Sequence, residues 1–477
     1  MTPATGVVDE PVVAPSRDDP VVERFSAVVG GPAGRRVRGG RHGWWTAARV
    51  LVVLSMVVLA LGVVEKQHCR AQGWSTPDQF FHACYSDLPL VYETSGLASG
   101  AVPYVDARDG DYLAQPVLTG LTMWAVGQAT PDGPPLKRDR WYFDLSTALI
   151  AVLLAVLVAV TAASAGRRRP WDASIVALSP LLALSALVSL DLLGVTLAAC
   201  GLLAWARSRP LLAGVLIGLA VTARTYPAVL LVVLAVLALR AGRWREWLAT
   251  TVAAGFTVVA VLLPWFAVNP AGVKAVYSAW AHSSAGYGSL WLLPQVVPSD
   301  PRPHWVDRLG WDPVSLSSGA VTTLALVGLA VALVVGLVLA LAADRRPRVA
   351  QVAFVVLAIV VLTGKSWPVQ ASLWLLPLAA LARPRWRDQL VWFACEATYF
   401  VGVWLYIGGQ TNTDRGLPGA WYSLLLLVRA AGLLWLVVSV VRDVRRPERD
   451  AVRRAGDDDP LGGPLDGAPD AVVLRFA

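Results

Sequence analysis

The sequence predicts an all-α polytopic membrane protein with about twelve transmembrane helices. Two observations carry this expectation. Of the 477 residues, 56% are hydrophobic and only 16% are charged, and the mean hydropathy is +0.56. A soluble domain has a similar apolar fraction, but about a quarter of its residues are charged. Apolar runs also recur from Val50 to Val441 with arginine clusters between them, and about 20 apolar residues suffice for each helix that crosses a bilayer. The net charge of +8 does not point to nucleic acid, because the arginines sit between apolar runs, where the positive-inside rule puts them.

The ends read differently from the middle. Residues 1–43 are rich in Pro, Gly and charge and are expected to form a disordered cytoplasmic arm without a cleavable signal peptide. Residues 44–442 form the transmembrane domain. Residues 443–477, with the acidic run Asp457, Asp458 and Asp459, are expected as a disordered cytoplasmic tail.

Between these ends the arginine clusters set the threading. Arg35, Arg36, Arg38 and Arg41 precede the first run, Trp45 to Val64, so this helix leaves the cytoplasm. Residues 65–140 then form a first outer loop. Leu88–Ser99 and Pro116–Gln128 within it are too short to span and read as interfacial helices. This places Lys137, Arg138 and Arg140 outside, a local breach of the positive-inside rule.

Trp141–Ala163 returns to Arg167, Arg168 and Arg169. Two pairs follow, Ala173–Val188 with Leu192–Trp205 and Leu211–Ala223 with Pro227–Leu239, each ending at arginines. Leu248–Val268 leads to a second outer loop, residues 269–318, and Val321–Ala342 returns to Arg345, Arg346 and Arg348. Ala350–Leu362, Ser372–Ala382, Leu390–Ile407 and Leu424–Val441 complete the set. Both termini are then cytoplasmic in a multi-pass plasma-membrane protein.

The same threading gathers the other polar residues on the outer side: Asp87, Asp191, Arg224, Tyr226, His282, Lys365 and Gln370. Ionisable groups beside hydrocarbon are costly and point to function. Arg224 and Lys365 could hold a phosphate, one as a fork and one as a point charge, or could snorkel to headgroups. Asp87, in Ser86-Asp87-Leu88-Pro89, could be a general base or part of a helix cap. Asp191 carries the same ambiguity, and His282 sits in a loop of small residues, where it could equally be a bystander. Cys69 and Cys84 share the first outer loop, so a disulfide is open to them there. Cys200 and Cys395 lie inside apolar runs and read as packing residues. No nucleotide-binding loop, zinc spacing or nucleophile elbow appears; no cofactor is expected, and no clear set of metal ligands stands out.

At these outer turns the sequence resembles the GT-C superfamily of membrane glycosyltransferases. It is nearest to the actinobacterial polyprenol-phosphate-mannose-dependent mannosyltransferases of glycosyltransferase family 87. Four stretches carry the resemblance, which covers roughly Trp45 to Val441: Cys84–Asp87 with Gly96–Tyr104; Pro116–Gly120; Asp191–Val195 with Gly218–Ala220 and Arg224–Pro227; and Lys365–Gln370 running into Leu373–Leu378. Two departures stand out. An acidic-Tyr-Pro motif is Ala114-Gln115-Pro116 here, leaving its carboxylate missing or moved to Asp109 or Asp111. A Tyr-Ser-Pro-Gln motif after the lysine region is Ser366-Trp367-Pro368-Val369-Gln370 here.

The resemblance implies a GT-C-like bundle and an outward-facing inverting glycosyltransferase. Its donor would be a polyprenyl-phosphate sugar, mannose by likeness, and its acceptor a cell-envelope glycan or glycolipid. Asp87 would be the base, Arg224 and Lys365 would hold donor phosphate, and Tyr226, Gln370, His282 and Asp191 would shape the pocket. The rival readings are a lipid or glycolipid flippase and a non-catalytic envelope-assembly protein. Transporters favour inverted repeats and broken helices at the midplane, whereas here no repeat is evident and the polar residues collect at one face.

Overall fold

The computed structural model describes residues 19–25, 28, 44–108, 110–299, 304–412 and 414–474. Most of the arm expected over 1–43 therefore lies outside the described residues. Within it, Asp19 Oδ2 accepts from the backbone N of Trp386 at 2.8 Å, so this short piece docks on the bundle.

Every described element is a helix. The first apolar run forms α1 (Ala47–Glu65). The long connection after it carries α2 (Gln67–Gln72), α3 (Asp78–Phe81), α4 (Asp87–Thr94) and α5 (Val117–Gln128), so short helices occur where the two interfacial ones are expected. α6 (Pro135–Ser164) begins earlier than its apolar run. Arg138 and Arg140 on its first turns tie down the connection, with Arg138 Nη1 donating to the Ala98 carbonyl at 2.9 Å and Arg140 Nε to that of Arg70 at 2.7 Å. This contact gives the cationic cluster a local role of its own.

The bundle continues through α7 (Asp191–Ala206), α8 (Pro210–Ala223), α9 (Ala228–Arg240), α10 (Trp244–Val268), α11 (Pro270–His282) and α12 (Ser318–Ala342). It closes with α13 (Val349–Leu362), α14 (Ala371–Ala382), α15 (Trp386–Gly409) and α16 (Gly419–Arg445). Six helices, α1, α6, α10, α12, α15 and α16, are long and apolar enough to cross a membrane, and α7, α8, α9, α13 and α14 are shorter apolar helices. The expected helix Ala173–Val188 is instead broken into a 3-10 turn at Pro170–Ala173 and the pieces Ser174–Ala177 and Pro180–Ser185. Ser179 is extended before Pro180, as sterics before a proline require, and its hydroxyl caps the next piece by accepting from Leu181 N at 3.3 Å. Six long and five shorter apolar helices among the described residues thus do not confirm the count of about twelve.

α8 packs between α7 and α10. Gly214 and Gly218, four apart, let the backbones meet: a Cβ on Gly218 would stand 2.7 Å from the Ala254 carbonyl oxygen, and one on Gly214 would collide with that of Thr250. Small residues at this spacing are how apolar helices approach when hydrophobic burial gives no preference for a partner helix over lipid.

At the arginine-rich end the tail expected to be disordered over 443–477 is ordered among its described residues, 443–474. α16 runs to Arg445, and the chain beyond it packs back across the helix ends. Arg348 is held by Asp450 at 2.7 Å while donating to the carbonyls of Leu381 and Ala382. Arg240 pairs with Asp470 at 2.7 Å, Trp205 donates to Gly462, and Leu461 and Leu465 are buried. The acids of the tail neutralise arginines that would otherwise stand buried and unpaired, which offsets the entropy of ordering it.

Candidate active site

At the opposite end, the α1–α6 connection folds over the helix tips and is stapled by a Cys69–Cys84 disulfide, as its two cysteines allow. Cys84 leads directly into Tyr85, Ser86 and Asp87. Ser86 caps α4 by accepting from Leu88 N at 3.3 Å and donates to the Leu187 carbonyl at 2.7 Å. The backbone N of Asp87 donates to Val188 at 2.8 Å. The capping role open to this stretch therefore falls to Ser86, and the carboxylate of Asp87 is left for other contacts.

That carboxylate faces a cleft of about 400 Å³, within the usual range of ligand pockets. Phe80 and Tyr85 come from the connection, Gly286 and Tyr287 from the segment after α11, Ser366 and Pro368–Gln370 from the α13–α14 turn, and Tyr399, Val403, Trp404 and Ile407 from α15. Tyr85 Oη donates to Asp87 Oδ1 at 2.6 Å. Its ring lies 4.7 Å from Trp404 and 5.4 Å from Phe80, forming an aromatic wall. Burial pushes the Asp87 carboxyl above its ordinary pKa; the Tyr85 hydrogen bond pulls it down, Asp191 pushes it up and Arg224 pulls it down again. A carboxylate raised toward neutrality by its surroundings is suited to take a proton.

Asp191, by contrast, is saturated. Its Oδ1 accepts from Ser189 Oγ at 2.9 Å and Arg224 Nε at 2.6 Å, and its Oδ2 from Trp374 Nε1 at 2.6 Å. Arg224 also donates to Gln115 Oε1 at 2.8 Å. The side chain of the altered Ala114-Gln115-Pro116 motif therefore meets Arg224 as a neutral amide. Asp109 is outside the described residues, and Asp111 is exposed. Tyr226 stacks on Trp374 at 4.9 Å, beside this network and outside the cleft lining.

The cationic turn differs from expectation too. All three hydrogens of the buried Lys365 ammonium go to carbonyls, of Trp280 at 2.7 Å and of Ala281 and Ser283 at 3.0 Å. Lys365 thus caps the C-terminus of α11, where carbonyls lack helical partners. Arg224 is likewise held by Asp191 and Gln115, so both cations are already engaged with protein groups in this structure. His282 is exposed, donates from Nδ1 to the Ser278 carbonyl at 2.9 Å, and is not in the cleft lining. Gln370 lines the cleft.

Sequence reasoning missed the residues beneath the cleft. Arg429 of α16, fully buried, donates to Glu396 of α15 at 2.9 Å and to the carbonyls of Trp367 at 2.5 Å and Pro368 at 3.1 Å. It also lies 4.0 Å from the Trp367 ring and 4.3 Å from that of Tyr399. One acid and one base within the last two apolar runs were the available signal.

Residues 139–367 match the family model for glycosyltransferase family 87. The matched span covers nearly half of the chain and agrees with the resemblance at the outer turns. No curated protein matches the chain. The family 87 match supports glycosyltransferase activity, and the apolar helices mark an integral membrane protein. Asp191, Arg224, Tyr226, His282 and Lys365 fall inside the matched span, while Asp87 and Gln370 fall outside it.

Proposed function

We propose that this chain is a family 87 inverting glycosyltransferase that moves a sugar, mannose, from a polyprenyl-phosphate donor to a cell-envelope glycan or glycolipid on the outer face of the membrane. The observation that carries the reading is the Asp87 carboxylate, oriented by Tyr85 and raised in pKa by burial, at the wall of an aromatic-lined cleft. The acceptor hydroxyl oxygen attacks the anomeric carbon as the bond from that carbon to the phosphate oxygen breaks. Its proton passes to Asp87, and polyprenyl phosphate leaves with the bonding pair. Phe80, Tyr85, Tyr287 and Trp404 offer faces on which a sugar ring can stack.

Two features support an outward-facing cleft. The disulfide belongs to an oxidising compartment, and it lies at the cleft end. The arginines, which favour the cytoplasmic side, gather at the other end with the tail. Arg224 and Lys365 enter this reading as residues that hold the turns around the cleft in place.

The test is transfer of radiolabelled mannose from synthetic polyprenyl-phosphate mannose to an envelope extract by purified protein in nanodiscs. Asp87→Asn should lower the rate by about a hundredfold or more, the usual contribution of a general base. An unchanged rate in Asp87→Asn would remove Asp87 from the chemistry. Failure of the wild type with mannose and with other lipid-linked sugars would remove the donor class.

A further inference from the structure

The connection that carries Asp87 also holds a cluster that the cleft does not use. His68 Nε2 of α2 lies 2.6 Å from Asp78 Oδ2, and His82 Nδ1 lies 3.2 Å from Asp78 Oδ1. The two imidazoles stack with centroids 3.6 Å apart. One ligand atom from each of the three residues falls within 4.8 Å of the others. Only five histidines occur in the chain, so two of them meeting on one carboxylate is a specific arrangement.

The arrangement is also held from outside. The Cys69–Cys84 disulfide closes just beside His68 and two residues past His82. The backbone N of His82 donates to Asp78 at 3.2 Å, and that of Cys84 to Gln79 at 3.0 Å. Both histidines are therefore fixed relative to Asp78 by covalent and backbone constraints that do not depend on the imidazoles themselves.

Two imidazoles and one carboxylate suit a borderline divalent ion. Magnesium and calcium prefer all-oxygen shells, whereas zinc and its neighbours accept nitrogen at about 2.0–2.1 Å. We propose that His68, Asp78 and His82 form a binding site for a divalent transition-metal ion of the zinc class on the α1–α6 connection. The cluster is partly open to solvent, which leaves room for water to complete the shell. The ion would be a positioning element. Phe80 lies between the ligands Asp78 and His82, and its ring lines the cleft against Tyr85 and Trp404. Fixing α3 fixes that wall. The inference stands whether or not the cleft transfers mannose.

The experiment uses the full chain in nanodiscs, stripped with EDTA, incubated with zinc chloride and desalted. Elemental analysis should find about one equivalent retained by the wild type, since a preformed ligand set binds without refolding. Cobalt(II) substitution should give visible absorption bands of a low-coordinate nitrogen–oxygen site. The double variant His68→Gln/His82→Gln should lose both signals while keeping its disulfide. Asp78→Asn, which preserves side-chain shape, should weaken zinc binding by at least the about 10–100-fold seen for changes around metal ligands. A wild type that retains no zinc, or an Asp78→Asn protein that binds as tightly as the wild type, would overturn the proposal. Zinc retained equally by the histidine double variant would do so as well, placing the ion elsewhere.

Discussion

Replacing Arg429 with Met is the sharpest test of how the cleft is held. The guanidinium is fully buried and does three things at once: it neutralises Glu396, it satisfies the Trp367 and Pro368 carbonyls, and it lies against two aromatic rings. Methionine keeps much of the volume but leaves the Glu396 carboxylate buried without its cation. Breaking one side of a buried pair costs about 3–5 kcal/mol, most of it the stranded charge. The double variant Glu396→Gln/Arg429→Met removes that charge and should recover part of the loss, with a coupling energy of about 0.5–3 kcal/mol for residues in contact. Denaturation of the purified protein in detergent, followed by tryptophan fluorescence, measures these two variants and the Glu396→Gln single against the wild type. Equal loss in Arg429→Met and the double variant would refute the stranded-charge reasoning. A loss below about 1 kcal/mol in Arg429→Met would refute the clamp itself, since it is no more than one ordinary hydrogen bond.

Two further perturbations reach the chemistry and the bundle. Tyr85→Phe removes a donor that favours the charged form of Asp87. Because a base works only when deprotonated, activity falls as pH drops through the Asp87 pKa. That acid limb, already above an ordinary carboxylate, should move to still higher pH in Tyr85→Phe; a profile of kcat/KM against pH that stays put or moves down would contradict the assignment. Gly218→Val places two methyls where even a Cβ meets the Ala254 carbonyl at 2.7 Å. Overpacking of this kind costs about 1–3 kcal/mol, and a variant as heat-stable as the wild type would show that α8 and α10 can separate freely.

Much of the helical layout was legible along the chain because apolar content and arginine position are local properties. A run such as Val321–Ala342 has little choice but to form a helix, and α12 follows it closely. The run over Ala173–Val188 misled because its average hydropathy hides Ser179-Pro180, a local break that outweighs composition. The tail misled for the opposite reason: it is polar on average, yet Asp450 and Asp470 meet arginines about a hundred or more residues away, and no local rule sees such partners.

The site divides in the same way. That Asp87 and Gln370 lie toward one end of the bundle with the Cys69–Cys84 pair was legible from residue type and threading, because cost near a bilayer and compartment chemistry are written in the sequence. Which groups stand free could not. Lys365 and Arg224 look like unpaired cations until α11 presents its last carbonyls and α7 presents Asp191. Glu396 with Arg429, and His68 with Asp78 and His82, become pairs and clusters only when helices pack and the connection folds over them. A charge acts through what surrounds it, and those surroundings come from parts of the chain that only the tertiary structure brings together.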